Sequence, residues 1–183
     1  MTITPKNSGW IEIICGPMFS GKTEELIRRL IRAQIAKQKV AIYKPSIDNR
    51  YSEDYIVSHN QRKIKSLTIK SPSDILNNSE NSDVIGIDEA QFFDLSLIDI
   101  CKKLAQSGKR VVAAGLEKDF KAKPFGPMPE LLVDAEYVTK VNAICMKCGD
   151  PANFSKRITS EEKQVVIGEI DKYEPRCRNC FNK

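Results

Sequence analysis

Short runs of β-branched and apolar residues alternate along the chain with longer stretches whose apolar positions recur every three or four residues. That is the pattern of a parallel sheet flanked by helices. Strands are expected at Trp10–Cys15, 40–43, 65–69, 84–88 and Arg110–Gly115. Between them, residues 23–38 put Leu26, Ile27, Leu30, Ile31 and Ile35 on one helical face and leave Arg28, Arg29 and Arg32 largely off it. Residues 95–106 repeat the pattern with Leu97, Ile98, Cys101 and Leu104, and Gly108 stands where a helix stop belongs. From residue 123 the texture changes to prolines at 124, 127 and 129, a short helical stretch and a Cys-rich tail. A boundary is expected near Lys140, dividing a larger α/β unit, residues 1–140, from a small one, residues 141–183.

With 183 residues, 41% of them hydrophobic and 29% charged, the chain fits one globular domain and a small appendage, and leaves no room for a second full domain. The net charge of +5 is spread along the chain, which suits a phosphate-rich ligand and argues against a nucleic-acid partner, whose binding wants a clustered basic patch. Residues 1–10 lack the layout of a signal peptide, and no apolar run approaches the roughly 20 residues needed to span a bilayer, so no membrane is expected and a cytoplasmic location is. In such a reducing compartment six cysteines argue for a metal or free thiols over disulfides. The single histidine, His59, lies in an aperiodic polar stretch and reads as a loop residue, not a catalytic one.

Three constellations carry candidate chemistry for ATP and magnesium. Gly16-Pro17-Met18-Phe19-Ser20-Gly21-Lys22-Thr23 has the spacing of a P-loop, follows an expected strand and opens an expected helix. Its backbone N–H groups and the helix N-terminus would cradle phosphates, with Lys22 on the β- and γ-phosphates and the Thr23 hydroxyl on Mg²⁺. The run Val84-Ile85-Gly86-Ile87-Asp88-Glu89 is an apolar strand ending in two carboxylates, which a parallel sheet would deliver to the same edge. Strand alternation separates their side chains, so Asp88 is assigned to Mg²⁺ and Glu89 to deprotonating an attacking hydroxyl. Gln91, two residues on, is placed with the nucleotide-binding residues. Asp48-Asn49-Arg50-Tyr51 follows another strand: Asp48 is available to the metal and Arg50 to the phosphates, against the everyday reading of a D-N turn.

The fourth constellation is structural. Cys145-Met-Lys-Cys148 and Cys177-Arg-Asn-Cys180, separated by 28 residues, supply the four thiolates of a closed tetrahedral zinc site. Joining both ends of the intervening segment reduces the cost of holding it as a loop, which makes it a candidate lid. A nucleic-acid motor is the alternative, because Asp88-Glu89-Ala90-Gln91 is similar to a DExx box. Such motors need a second domain and a basic track that this chain lacks. A nucleotide sensor without turnover has no use for the full set of Lys22, Thr23 and Glu89.

Taken in order, G-P-M-F-S-G-K-T, D-N-R-Y, D-E-A-Q-F-F, A-G-L, K-P-F-G and the two knuckles resemble the type II, zinc-containing thymidine kinases over residues 9–180. The resemblance implies an ATP-dependent thymidine kinase of nucleotide salvage for DNA synthesis, built on a RecA-like sheet with a small zinc domain. Glu89 is then the base, Asp88 and Asp48 serve magnesium, and Arg50 assists transfer. It further implies that Met18, Phe92, Leu116, Phe120 and Phe125 line a thymidine pocket, whereas taken alone the phenylalanines read as core. A lasso between the knuckles would hold the base through main-chain groups of Val165, Val166, Ile167 and Gly168, with Tyr173 guarding the sugar instead of lying on the surface beside Pro175. A homotetramer and feedback inhibition by thymidine triphosphate are implied as well. Two departures stand out: Glu117-Lys118-Asp119 replaces small residues before Phe120, and residues 150–163 are highly charged.

Overall fold

The computed structural model describes residues 8–47, 55–57, 63–160 and 172–183. Its elements run β1 (Trp10–Cys15), α1 (Lys22–Ile35), β2 (Val40–Pro45), β3 (Tyr55–Val57), β4 (Lys63–Lys65), β5 (Leu67–Ile69), α2 (Ser73–Asn78), β6 (Val84–Ile87), a 3₁₀ turn (Ala90–Phe92) and α3 (Ser96–Gln106). They continue with β7 (Arg110–Gly115), α4 (Met128–Asp134), β8 (Tyr137–Lys140), β9 (Ala143–Ile144), β10 (Pro151–Ala152), β11 (Phe154–Arg157), β12 (Tyr173–Arg176) and α5 (Arg178–Phe181). Among the described residues, six strands form one parallel sheet in the order β5-β2-β6-β7-β1-β8. Strand β7 thus lies between the strand that leads into the P-loop and the strand that leads into the acidic pair. No helix among the described residues is long and apolar enough to cross a membrane.

The central strands are apolar on both faces because both faces are covered, as parallel sheets require. Ile11, Ile13 and Cys15 of β1, Ile85 and Ile87 of β6, and Val111 and Ala113 of β7 pack into one cluster with Leu97, Cys101 and Leu104 of α3 and Met128 and Leu131 of α4. The alternate residues Ile14, Val84, Val112 and Ala114 pack on the other face against Leu26, Ile27, Leu30 and Ala33 of α1. Gly86 also lies on the α1 side, where a Cβ would meet Leu30 Cδ1 at 2.5 Å. The absence of a side chain there lets the helix lie close on the sheet.

Some expectations need correcting. Ile31 and Ile35 do not share the buried face of α1; they are 37% and 75% exposed. At 3.6 residues per turn the buried stripe is centred on Leu30, and Ile31 and Ile35 are rotated well away from it, whereas Ala33 is not. The single strand at 65–69 is two short strands parted by buried Ser66: β4 pairs antiparallel with β3, and β5 joins the central sheet. Edge strand β8 and helix α2 were not anticipated. In β8 only Tyr137 and Thr139 turn inward, giving half-buried alternation with no apolar run to mark it.

A charged residue of β1 is buried in this apolar frame. Glu12, on the α1 side of β1, accepts from Trp10 Nε1 at 2.7 Å, Arg110 Nε at 2.7 Å and Arg29 Nη1 at 2.8 Å, while Arg29 Nη2 reaches Thr139 Oγ1 at 2.8 Å. The cluster ties β1, β7, β8 and α1 together. Burial pushes the Glu12 carboxyl up, but hydrogen bonds from Arg110 and Trp10 and the charges of Arg110 and Arg29 outweigh it and hold it below the ordinary value of 4.5. A depressed carboxyl contributes stability that is present above its unfolded-state pKa and lost as pH falls through the folded-state value. Glu12→Gln is therefore expected to lower stability by about 2 kcal/mol at neutral pH, and the gap from the parent should narrow as pH drops below 4.5. Urea denaturation across that range measures it; a gap independent of pH would show that the charge is not what stabilises.

Candidate active site and metal centre

The P-loop begins where β1 ends. Gly16 has φ 149°, and a Cβ there would lie 2.2 Å from the Val141 carbonyl oxygen, so the turn accepts only glycine. Within the loop, Ser20 Oγ and Lys22 Nζ each donate to the Pro17 carbonyl at 2.7 Å, drawing the loop into a ring. Residues Met18, Phe19 and Ser20 are half-buried, and α1 starts at Lys22 with Glu25 N–H bonded to Gly21 O. Thr23, in the first turn of α1, donates its hydroxyl to Asp88 Oδ1 at 3.3 Å. The loop hydroxyl and the carboxylate after β6 are thereby brought together across the C-terminal edge of the sheet.

Asp88 is 6% exposed; its N–H bonds Tyr43 O of β2, and its Oδ1 also accepts from Glu89 N–H at 3.0 Å. Strand β6 ends at Ile87, so strand alternation does not separate the two carboxylates. Glu89 instead adopts a left-handed conformation, φ 50° and ψ 41°, which turns the chain into the 3₁₀ turn. Gln91 is buried: Nε2 donates to Glu89 Oε2 at 2.5 Å and Oε1 accepts from Leu116 N–H at 2.9 Å. Both ends of an amide expected at the nucleotide are thus engaged with protein groups. Asp48 and Arg50 lie outside the described residues, as does His59.

The aromatic positions fall into two groups. Phe92 and Phe125 meet edge to face with centroids 5.7 Å apart. Phe120 carries the Arg157 guanidinium 3.6 Å above its ring, and Arg157 Nη2 donates to the Tyr173 hydroxyl at 2.6 Å. Tyr173 is 7% exposed, which excludes the surface reading. Leu116 and Met18 are half-buried. The polar run before Phe120 has a local cause: buried Asp119 accepts from the N–H groups of Lys121 and Lys123, at 2.9 and 3.0 Å, and so shapes the turn that presents the ring. Val165, Val166, Ile167 and Gly168 lie outside the described residues.

The four thiols of Cys145, Cys148, Cys177 and Cys180 converge with all sulfur atoms within 4.8 Å of one another, and Cys148 Sγ to Cys177 Sγ is 3.6 Å. Tetrahedral thiolates about 2.3 Å from a zinc ion would stand about 3.8 Å apart, so the cluster fits a metal ion of that size and geometry. Each knuckle is stiffened locally: Cys145 N–H bonds Asp150 O and Gly149 N–H returns to Cys145 O, while Cys180 N–H points at Cys177 Sγ. Burial raises the Cys145 thiol, but backbone N–H groups of Cys177, Lys147 and Cys148 overcome it and bring it to about 6. The Cys180 thiol is raised by its neighbour Cys177.

Two residues not anticipated from sequence join this segment to the P-loop side. Ser155 of β11 accepts from Met18 N–H at 2.9 Å, and Arg157 of the same strand forms the contact with Phe120 and Tyr173. Phe154 beside them lies 4.2 Å from Lys118 Nζ and stacks on Phe181 at 4.6 Å. Strand β11 is short and polar, and no periodicity in it signals burial of Ser155 and Arg157.

Comparison with known proteins adds the family. A family model described as thymidine kinase matches residues 9–181. A thymidine kinase of Rhodothermus sp. is 57% identical over 173 residues, covering 94% of this chain and 81% of the relative. Thymidine kinases of Bacteroides thetaiotaomicron and Bacteroides fragilis are 57% and 56% identical over 176 and 178 residues, covering 96% and 97% of this chain and 88% and 89% of the relatives. A match of that extent and identity, on a chain whose P-loop, acidic pair and cysteine cluster converge as described, places it in the thymidine kinase family.

Proposed function

We propose that the chain transfers the γ-phosphoryl group of ATP to the 5′-hydroxyl of thymidine, and of deoxyuridine, in cytoplasmic nucleotide salvage. The observation that carries the site assignment is the 3.3 Å contact between Thr23 Oγ1 and Asp88 Oδ1, with Glu89 next in the chain. A hydroxyl and a carboxylate meeting beside a P-loop are a donor set suited to magnesium, with Asp48 as a further ligand. The ion would neutralise charge on the β- and γ-phosphates. The P-loop N–H groups, Lys22 and Arg50 would hold the triphosphate, and Glu89 would accept the proton of the attacking hydroxyl. As the O5′–P bond forms and the bond from the γ-phosphorus to the β-bridging oxygen breaks, that proton passes to the Glu89 carboxylate and ADP leaves.

Thymidine would lie in a slot lined by Met18, Phe92, Leu116, Phe120 and Phe125. Tyr173 would stand on its sugar side, and main-chain groups of Val165, Val166, Ile167 and Gly168 would face the pyrimidine edge. The cluster of four thiols supports a structural zinc that anchors residues 141–183 as a small domain beside residues 1–140. A homotetramer, feedback inhibition by thymidine triphosphate and the absence of a nucleic-acid partner complete the reading.

Two outcomes test it. Purified without chelator, the protein is expected to hold one zinc per chain, released as acid protonates the thiolates. Cys148→Ser or Cys177→Ser should lower the zinc content and weaken nucleoside binding more than ATP binding. Protein free of zinc, or equal loss of both substrates, would contradict the anchoring role. For the base, Glu89→Gln keeps size and polarity but accepts no proton, so kcat should fall by on the order of 10²-fold or more with both substrates still bound. Near-normal turnover would remove Glu89 from that role.

A further inference from the structure

We infer that Gln91 is a positioning residue for this reaction, fixing the Glu89 carboxylate in the orientation from which it takes the proton of the attacking hydroxyl. The inference rests on the reading of Glu89 as the base. Gln91 is 2% exposed, and the two ends of its side-chain amide have partners of opposite kind: Leu116 N–H for Oε1 at 2.9 Å and Glu89 Oε2 for Nε2 at 2.5 Å. A backbone N–H cannot be accepted by an amide nitrogen, so the Leu116 bond decides which way the amide faces and leaves Nε2 directed at Glu89. The donor to the carboxylate is therefore set by the backbone at the end of β7, not by Glu89 itself.

The surrounding chain is shaped to this side chain. The left-handed turn at Glu89 followed by the 3₁₀ turn brings residue 91 back beside residue 89. A Cβ at Gly115 would lie 2.7 Å from Gln91 Oε1, and one at Gly126 would lie 2.2 Å from the Gln91 carbonyl oxygen. These two glycines belong to the A-G-L and K-P-F-G segments, so both segments leave space for Gln91. Leu116, one of the proposed pocket residues, is joined to the base through the same amide. A carboxylate on a flexible side chain samples rotamers from which no proton transfer occurs, and a buried donor fixed by the backbone narrows that range.

The test is a double-mutant cycle on the full chain, with kcat and KM measured for thymidine and ATP. Gln91→Met removes both polar ends at similar length; kcat should fall on the order of 10-fold while KM for each substrate stays within about 2-fold. Gln91→Glu keeps an acceptor for Leu116 N–H but sets a second carboxyl against Glu89; the two would share one proton, so kcat should fall to a similar extent with its pH profile displaced to higher pH. If the methionine variant does not fold, this second variant carries the test. In a Glu89→Gln background neither substitution should slow the enzyme further, because the group through which Gln91 acts is already gone. An equal loss in that background, or unchanged kcat in both variants, would overturn the inference while leaving the base assignment intact. Near-normal turnover of Glu89→Gln alone would instead remove the base assignment and the inference with it.

Discussion

The 3.3 Å contact between Thr23 Oγ1 and Asp88 Oδ1 depends on how closely α1 lies on the sheet. Thr23 opens that helix, Leu30 stands about two turns further along it, and Leu30 packs over Gly86, two residues before Asp88 on β6. The parallel sheet sends the chain out of β1 and β6 at the same edge, and the bare backbone at Gly86 sets the separation at which hydroxyl and carboxylate meet. The burial that holds this arrangement comes from both faces: Leu26, Ile27 and Leu30 on one side, Leu97, Cys101 and Leu104 on the other. The charge cluster at Glu12 ties the same helix to the same sheet.

The second constraint is the coupling between the P-loop and the C-terminal segment. Gly16 packs against the carbonyl of Val141, Met18 N–H bonds Ser155, and Phe120 is covered by Arg157, whose partner Tyr173 sits on the neighbouring strand. Strands β11 and β12 pair with each other, and β12 runs into the second cysteine knuckle, so the four clustered thiols stand at the far end of the same unit. A short segment with few apolar residues holds little hydrophobic core of its own. Cross-links of this kind give it a fixed position that its own burial would not.

What could be read from the sequence, and what could not, follows from the range of each interaction. The P-loop, the apolar strands and the knuckles are local patterns, and the observed β1, β6, β7, α3 and clustered cysteines match them closely. The conformation of Glu89 was not legible: the acidic pair lies past the end of β6, and Glu89 turns left-handed where continued strand alternation was expected. Buried Tyr173, and the roles of Ser155 and Arg157 in joining β11 to the P-loop side, arise from contacts between residues more than fifteen positions apart, which no local period records. Likewise Ile31 and Ile35 are apolar but exposed, since hydrophobicity alone does not fix where a helical stripe is centred.

Transfer of label from γ-labelled ATP tests directly whether the site moves a phosphoryl group onto a pyrimidine deoxynucleoside. With thymidine, deoxyuridine and deoxycytidine offered separately, the label should appear in the monophosphates of the first two and scarcely in the third. Deoxyuridine lacks only a methyl, worth about 1–3 kcal/mol, whereas deoxycytidine would reverse the donor and acceptor pattern offered to the proposed main-chain partners and would leave them unpaired. Release of the label as inorganic phosphate only when single-stranded DNA is present, with every nucleoside ignored, would contradict the account.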